Sequence, residues 1–393
     1  MKIFLFVVTL LLLTGCNETN ESQTPAINAI SQQSESNEEK AVYFTQECSI
    51  FRDTSCVNGD EEVTLFPSYS YYDSLNKEWV VQVRGWIYEL DYSTLTRSVF
   101  VNLLETVMGN IDEEPTFFNK RIELFLSDNE SDELLNIQLG DKLIAVGESQ
   151  NDGSFSADIR ITNEEMNHLL DENSRIQYRM VLPKDDKRLL VGEVIVVPKN
   201  GRMIVSDIDD TIKISEVFLG EEILLQNTFL NKSRIAPGML KLFQGFAQDE
   251  NNTFHYLSGS PRQLITFLTG YISDSGFSMG SMHLKPLQLN LFSSSIYSFL
   301  DSDSTYNHKR NTLVQMMQNL PNKQFILIGD SGEKDPEVYS SLLDEYSKQI
   351  ESIYIRNVSD ENATSERMQN LFGEYVNQVK FIDPEGIESN PKL

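Results

Sequence analysis

The stretch "GRMIVSDIDDTIKIS", residues 201–215, decides how the chain is read. Met203 to Val205 form a short apolar run of strand type, and Asp207, Asp209 and Asp210 follow it almost at once. Carboxylates crowded at a strand end disfavour one another's ionisation and need a compensating partner. Asp207 and Asp209, at i and i+2, can both address one ligand as the chain leaves the strand. Asp210 is expected to face away or cap the next segment, and Thr211 to fix the turn.

Beyond residue 200, apolar runs of strand length alternate with helical stretches. "MIVS", "FHYLS", "FILIGD" and "SIYIRNV" read as strands, and "GMLKLFQGFAQ", "RQLITFLTGYIS", "HKRNTLVQMMQNL" and "EVYSSLLDEYSKQI" as helices. Strands without a polar face are buried on both sides, as in a parallel sheet flanked by helices. In such sheets ligands gather at the carboxyl ends of the strands. Those ends carry "SDIDDT", then "SGSP" at 258–261, then "GDSGEKD" at 329–335, with Lys309 placed at the start of the helix before the last of these.

Acid, hydroxyl, cation and acid on one sheet edge suit phosphoryl transfer. Mg²⁺, held by Asp207, Asp209 and Asp330, would neutralise the phosphate and the attacking carboxylate. Asp207 is the expected nucleophile, forming an aspartyl-phosphate, and Asp209 the expected acid and base. Ser258 and the backbone N–H groups beside it, at Gly259, would hold phosphoryl oxygens. Lys309 would offset charge on the transferring group, with Lys285 and the neighbouring Arg310 as rivals for that role. Asp335 would support the metal ligands. His308 reads as a helix-start or packing residue and His255 as core.

The set resembles the four motifs of the haloacid dehalogenase superfamily of phosphatases. "MIVSDIDDTIKIS", "YLSGSPRQL", "NHKRNTL" and "ILIGDSGEKDPEVYSSL" are further similar to the actin-patch-type phosphatidate phosphatases, over roughly residues 64 to 358. That resemblance implies a haloacid dehalogenase-like, Rossmann-like catalytic domain over residues 201–393. It implies Mg²⁺-dependent conversion of phosphatidate to diacylglycerol, with Asp207, Asp209, Ser258, Lys309 and Asp330 in the roles above. An aromatic is expected where Arg262 stands.

Residues 41–200 read as a mostly β, sandwich-like domain, antiparallel, or as a barrel. "EWVVQVRGWIYEL" (78–90) places Val81, Val83 and Gly85 on one side. "RIELFLS", "DKLIAVGES", "SFSADIRIT", "IQYRMVL" and "LLVGEVIVV" are the further strands. One helix is expected at 93–109, with Leu95, Val99, Leu103 and Val107 as its apolar face and Gly109 as its stop. Trp79, Trp86 and Tyr88 either line a binding surface or belong to the core.

"MKIFLFVVTLLLLTG" (1–15) reads as a signal peptide too short to span a membrane well, and "LLTGC" resembles a bacterial lipobox with Cys16 as the lipidated residue. Residues 16–40, polar and poor in large apolar groups, form a tether reaching on the order of 25–30 Å. The implied location is extracytoplasmic, at the bacterial cell envelope. Cys48 and Cys56 are a candidate disulfide in that compartment. A net charge of −27 argues against a broad nucleic-acid-binding surface. The segments 212–240 and 262–308, including the apolar "LNLFSSSIYSFL" (289–300), are expected to separate lipid from soluble phosphate esters as substrates. A different class of reading makes the β-rich half of a surface lipoprotein mainly a binding module. Oligomeric state is not legible in the sequence.

Overall fold

In the computed structural model, the residues described are 53–287, 301–385 and 388–389. The expected signal peptide, the expected tether with Cys16, Cys48 and the stretch 289–300 lie outside them. Cys56 is disulfide-bonded. Among the described residues no helix is long and apolar enough to cross a membrane.

The first half is built from β1 (Glu61–Leu65), β2 (Ser68–Asp73), β3 (Glu78–Glu89), α1 (Thr94–Met108), α2 (Phe118–Phe125), β4 (Asp128–Asn129), β5 (Leu134–Leu139), β6 (Lys142–Glu148), β7 (Ser154–Ile161), α3 (Asn163–Leu169), β8 (Arg175–Met180) and β9 (Val191–Val196). These strands form one nine-stranded sheet instead of the two packed sheets of a sandwich. Its pairing is antiparallel except between β2 and β9, which run parallel. β3 is long enough to pair with β1 and β2 along one edge and with β7 along the other.

Three sequence expectations are corrected here. "RIELFLS" lies mostly in helix α2: Phe118, Ile122 and Phe125 fall at helical spacing and are all buried. A period near four, not two, governs that stretch. α3 is a further helix, opened by a capping box between Thr162 and Glu165. In α1 the extent is as expected, but the buried face is Phe100, Leu104 and Met108. Leu95, on the expected face, is 73% exposed. Two apolar stripes run along that helix, and its packing partners chose the aromatic one.

The second half comprises β10 (Arg202–Ser206), β11 (Lys213–Ile214), α4 (Glu221–Phe229), β12 (Arg234–Ile235), α5 (Met239–Phe246), β13 (Thr253–Pro261), α6 (Ile265–Asp274), β14 (Ser281–Lys285), α7 (Ser302–Asn319), β15 (Gln324–Asp330), α8 (Asp335–Tyr346), β16 (Ile350–Arg356), α9 (Glu366–Phe372), β17 (Val379–Ile382) and β18 (Glu388–Ser389). Its sheet runs β14-β13-β10-β15-β16-β17-β18, parallel except at the β17–β18 edge. Alternation along β10 splits its side chains between two layers. Ile204 packs with α4, α5 and α6 on one face, and Met203 and Val205 with α7, α8 and α9 on the other.

Both layers reach into the first half. Trp86, Phe100 and Phe125 join the core that contains Ile204, and Tyr69, Val80 and Val197 join the one that contains Val205. The backbone N–H of Met282 on β14 donates to the Pro67 carbonyl at 2.9 Å. The described residues belong to one compact unit.

Along this seam lies a buried histidine cluster. His283 Nδ1 is 3.2 Å from His255 Nε2, and His255 Nδ1 is 2.7 Å from Ser281 Oγ. Burial, with Arg84 adding to it, pushes the pKa of His255 down to about 3. Burial and then Lys309 and Arg84 push His308 down to about 4. The unfolded chain therefore binds protons between about pH 6.5 and 4 that the folded chain refuses, so stability falls as pH drops through that window. Replacing His308 by Leu should shallow this acid limb in denaturant titrations at stepped pH. An unchanged pH slope would show that the cluster does not govern it.

Candidate active site

β10 ends at the centre of the parallel sheet, flanked by β13 and β15. Its continuation is held by backbone bonds: Asp207 N–H donates to the Ile328 carbonyl at 2.9 Å. A tight turn follows, with the N–H groups of Ile212 and Lys213 both donating to the Ile208 carbonyl. Asp210, at φ 55°, accepts from the backbone N–H groups of Ser215, Glu216 and Val217. It caps the loop, as expected, and takes no part in the site. Thr211 is fully buried, and its hydroxyl has no hydrogen-bond partner among the described residues.

Two polar groupings result. In the first, Asp207, Asp330 and Asp335 each offer a carboxylate oxygen within 4.8 Å of the others, all buried. Lys309 Nζ lies 2.8 Å from Asp207 Oδ1, 2.6 Å from Asp335 Oδ1 and 3.2 Å from Glu333 Oε2. Lys309 sits two turns inside α7, not at its start as expected, because the helix begins at Ser302. Of its rivals, Lys285 contacts Thr305 and the Asp301 carbonyl, and Arg310 reaches Ser341. Asp330 Oδ1 accepts from the N–H groups of Gly332 and Glu333. Asp335 Oδ2 accepts from Asp330 N–H at 3.2 Å, a closeness that requires Gly329, where a Cβ would stand 2.4 Å from that oxygen.

Burial pushes the carboxyls of Asp207 and Asp330 well above the usual range, and neighbouring carboxylates add to this while Lys309 opposes it. Burial likewise raises Glu333 to about 7. One ammonium is too little positive charge for the four acids around it. Asp207 Oδ2 and Asp330 Oδ2 are buried and, among the described residues, accept no hydrogen bond. Two orphaned carboxylate oxygens in an acid-rich pocket fit a hard divalent cation, whose ligands are oxygens.

The second grouping surrounds Asp209. Its Oδ1 accepts from Lys213 Nζ at 2.8 Å and from Ser215 Oγ, and its Oδ2 from Ser260 Oγ at 2.6 Å and Ser258 Oγ at 3.3 Å. Burial works to raise its pKa, but the Lys213 charge and these donors prevail and hold it low. The expected metal ligand Asp209 is thus outside the carboxylate group of Asp207, Asp330 and Asp335, and Asp335, expected only as support, is inside it. Gly259 packs so closely on Thr305 that a Cβ would stand 2.6 Å from its methyl.

Sequence reasoning missed Lys213, Ser215, Ser260, Glu333 and Arg367. Lys213 at i+4 from Asp209 was the one readable signal, a single cation in an acidic stretch. Arg367 on α9 had none. It donates to the carbonyls of Ser331 at 2.7 Å and Glu333 at 2.8 Å, clamping the acidic loop from outside. Arg262, where an aromatic was expected, turns away from the acids. It pairs with Asp152 in the turn before β7 at 3.0 Å and sits 5.3 Å from the ring centre of Trp86. Trp86 and Tyr88 are core, stacked at 3.9 Å.

A cavity of about 460 Å³ adjoins both groupings. Asp209, Gly259, Ser260 and Glu333 line it together with Phe125, Val217, Leu224 and Leu264. Fold and site together define an α/β domain with a buried carboxylate–lysine centre at the carboxyl edge of a parallel sheet. Residues 202–357 match the family described as "Phosphatidate phosphatase APP1, catalytic domain". The phosphatidate phosphatase APP1 of Saccharomyces cerevisiae is 34% identical over 155 residues, 39% of this chain and 25% of the yeast protein. An uncharacterized Schizosaccharomyces pombe protein is 27% identical over 216 residues, 50% of this chain and 34% of its own length. The chain thus spans about a quarter to a third of the curated relatives it matches. A solved structure of a "probable phosphoserine phosphatase" from Vibrio cholerae covers 75% of this chain and 80% of its own, at 11% identity. Its TM-score of 0.24 is too low to bear on fold or function.

Because Arg367 satisfies two loop carbonyls, Arg367→Gln should lower unfolding free energy by about 1–3 kcal/mol in urea titrations. A loss below about 0.5 kcal/mol would show that the loop holds itself.

Proposed function

We propose that the chain is a divalent-cation-dependent phosphatase of haloacid dehalogenase type that hydrolyses phosphatidate to diacylglycerol and phosphate. The observation that carries the reading is the pair of unpartnered buried oxygens, Asp207 Oδ2 and Asp330 Oδ2, beside Lys309. The name of the yeast relative supports the substrate. Bound there, Mg²⁺ would be held by Asp207 and Asp330 and would offset the charge of phosphate and carboxylates.

Asp207 attacks phosphorus, and the bond to the leaving alcohol breaks as an aspartyl-phosphate forms. Asp209, ionised until substrate binds, takes up the proton of the monoanionic phosphate ester and passes it to the leaving oxygen. It then takes one from the water that attacks the same phosphorus, freeing phosphate and restoring Asp207. The Lys213 and serine contacts hold Asp209 ionised in the resting site, at the base end of this cycle. Lys309 steadies charge on Asp207, and Ser258 with the N–H of Gly259 suits the phosphoryl oxygens. We further propose that lipidated Cys16 and the tether of residues 16–40 keep the domain at an extracytoplasmic membrane face, next to its substrate.

Purified protein should release phosphate from phosphatidate in mixed micelles faster than from soluble esters, with loss of at least a thousandfold on chelation or in Asp207→Asn. Faster release from soluble esters would overturn the lipid assignment and favour a general phosphomonoesterase. Added Mg²⁺ should raise the melting temperature of the wild type and of Asp209→Asn but not of Asp330→Asn. A retained Mg²⁺ effect in Asp330→Asn would remove that residue from the metal site.

A further inference from the structure

Phe125 lies outside the family-matched segment, on a helix of the β-rich half, yet it lines the same cavity as Asp209, Ser260 and Glu333. Its helix is fixed against the second half. Arg121, one turn earlier, donates to the Thr228 carbonyl on α4 and sits 3.9 Å from the ring centre of Phe267. The Phe125 ring itself packs at 5.0 Å on Phe229. Leu224 from α4 and Leu264 at the start of α6 contribute to the same apolar wall. Val217 extends it, and the adjacent Phe218 and Leu219 are 42% and 57% exposed, so apolar surface continues from the cavity to solvent. At about 460 Å³ the cavity exceeds what a phosphate alone needs and falls in the usual range for small-molecule sites.

We propose that Phe125, Leu224 and Leu264 form a subsite for the hydrocarbon part of the phosphate ester, making Phe125 a specificity-determining residue supplied by the β-rich half. The inference rests on the phosphatase reading for the placement of the phosphate end. Each methylene that the wall covers should tighten binding up to about fourfold, the equivalent of about 0.8 kcal/mol.

The test is calorimetric binding of n-alkylphosphonates, ethyl to octyl, which are not hydrolysed, in the presence of Mg²⁺. Wild-type affinity should climb with chain length. Phe125→Leu should flatten the climb, and Leu224→Trp, which fills the cavity, should end it at a shorter chain. In both, octylphosphonate should lose tenfold or more and ethylphosphonate less than twofold. Melting temperatures within a few degrees of wild type establish that the variants are folded, and Leu224→Trp carries the test if Phe125→Leu is not. Affinity independent of chain length, or identical slopes in wild type and variants, overturns the subsite. Chain-length-dependent binding with no phosphate release from the matching alkyl phosphates would leave the subsite standing and overturn the phosphatase reading instead.

Discussion

The structure turns on one buried ammonium. Lys309 stands within 3.2 Å of Asp207, Glu333 and Asp335, which come from the end of β10 and the loop after β15. Bringing these acids together without a cation would leave several buried charges unpaired, at a cost of several kcal/mol each. α7 must therefore lie where it delivers Lys309, and β15 must lie beside β10. Even so, one positive charge does not balance the cluster. The orphaned oxygens of Asp207 and Asp330 mark where the remaining compensation belongs.

The two aspartates of the opening stretch have been driven into different electrostatic surroundings. Asp207 faces other acids, and burial with their repulsion raises its pKa, whereas Asp209 is surrounded by Lys213 and three serine hydroxyls that hold it ionised. Separate environments would suit the two carboxyls to the different roles proposed for them, Asp207 to a cation and attack and Asp209 to proton transfer. Asp210, between them and the 213–217 segment, spends its oxygens on backbone N–H groups and holds the loop that makes this division possible.

The β-rich half is bound to the second half by charge as well as by shared cores. Arg262 leaves the strand end to meet Asp152 and Trp86 across the seam, and Arg84 donates to the Met282 carbonyl on β14. With Phe125 in the cavity wall, the first half has a structural claim on the site that a free-standing binding module would not have.

Much of this was legible along the chain. Unbroken apolar runs such as "FILIGD" announce strands buried on both faces, and the polar residues at their ends must then share one edge of one sheet. That logic put Asp207, Ser258 and Asp330 on one sheet edge without coordinates, while Lys309 reaches them from two turns inside α7. Local pattern failed where two periods competed, as in "RIELFLS", or where two apolar stripes shared one helix, as in α1. Which face is buried depends on neighbours distant in sequence. The same reason hid Arg367 and Ser260, gave Asp335 rather than Asp209 to the carboxylate cluster, and set Arg262 against the first half. Residue types and their spacing determined which chemistry the chain can assemble. Only the tertiary structure decided which oxygen faces which cation, because those distances are set by packing between segments that no local pattern connects.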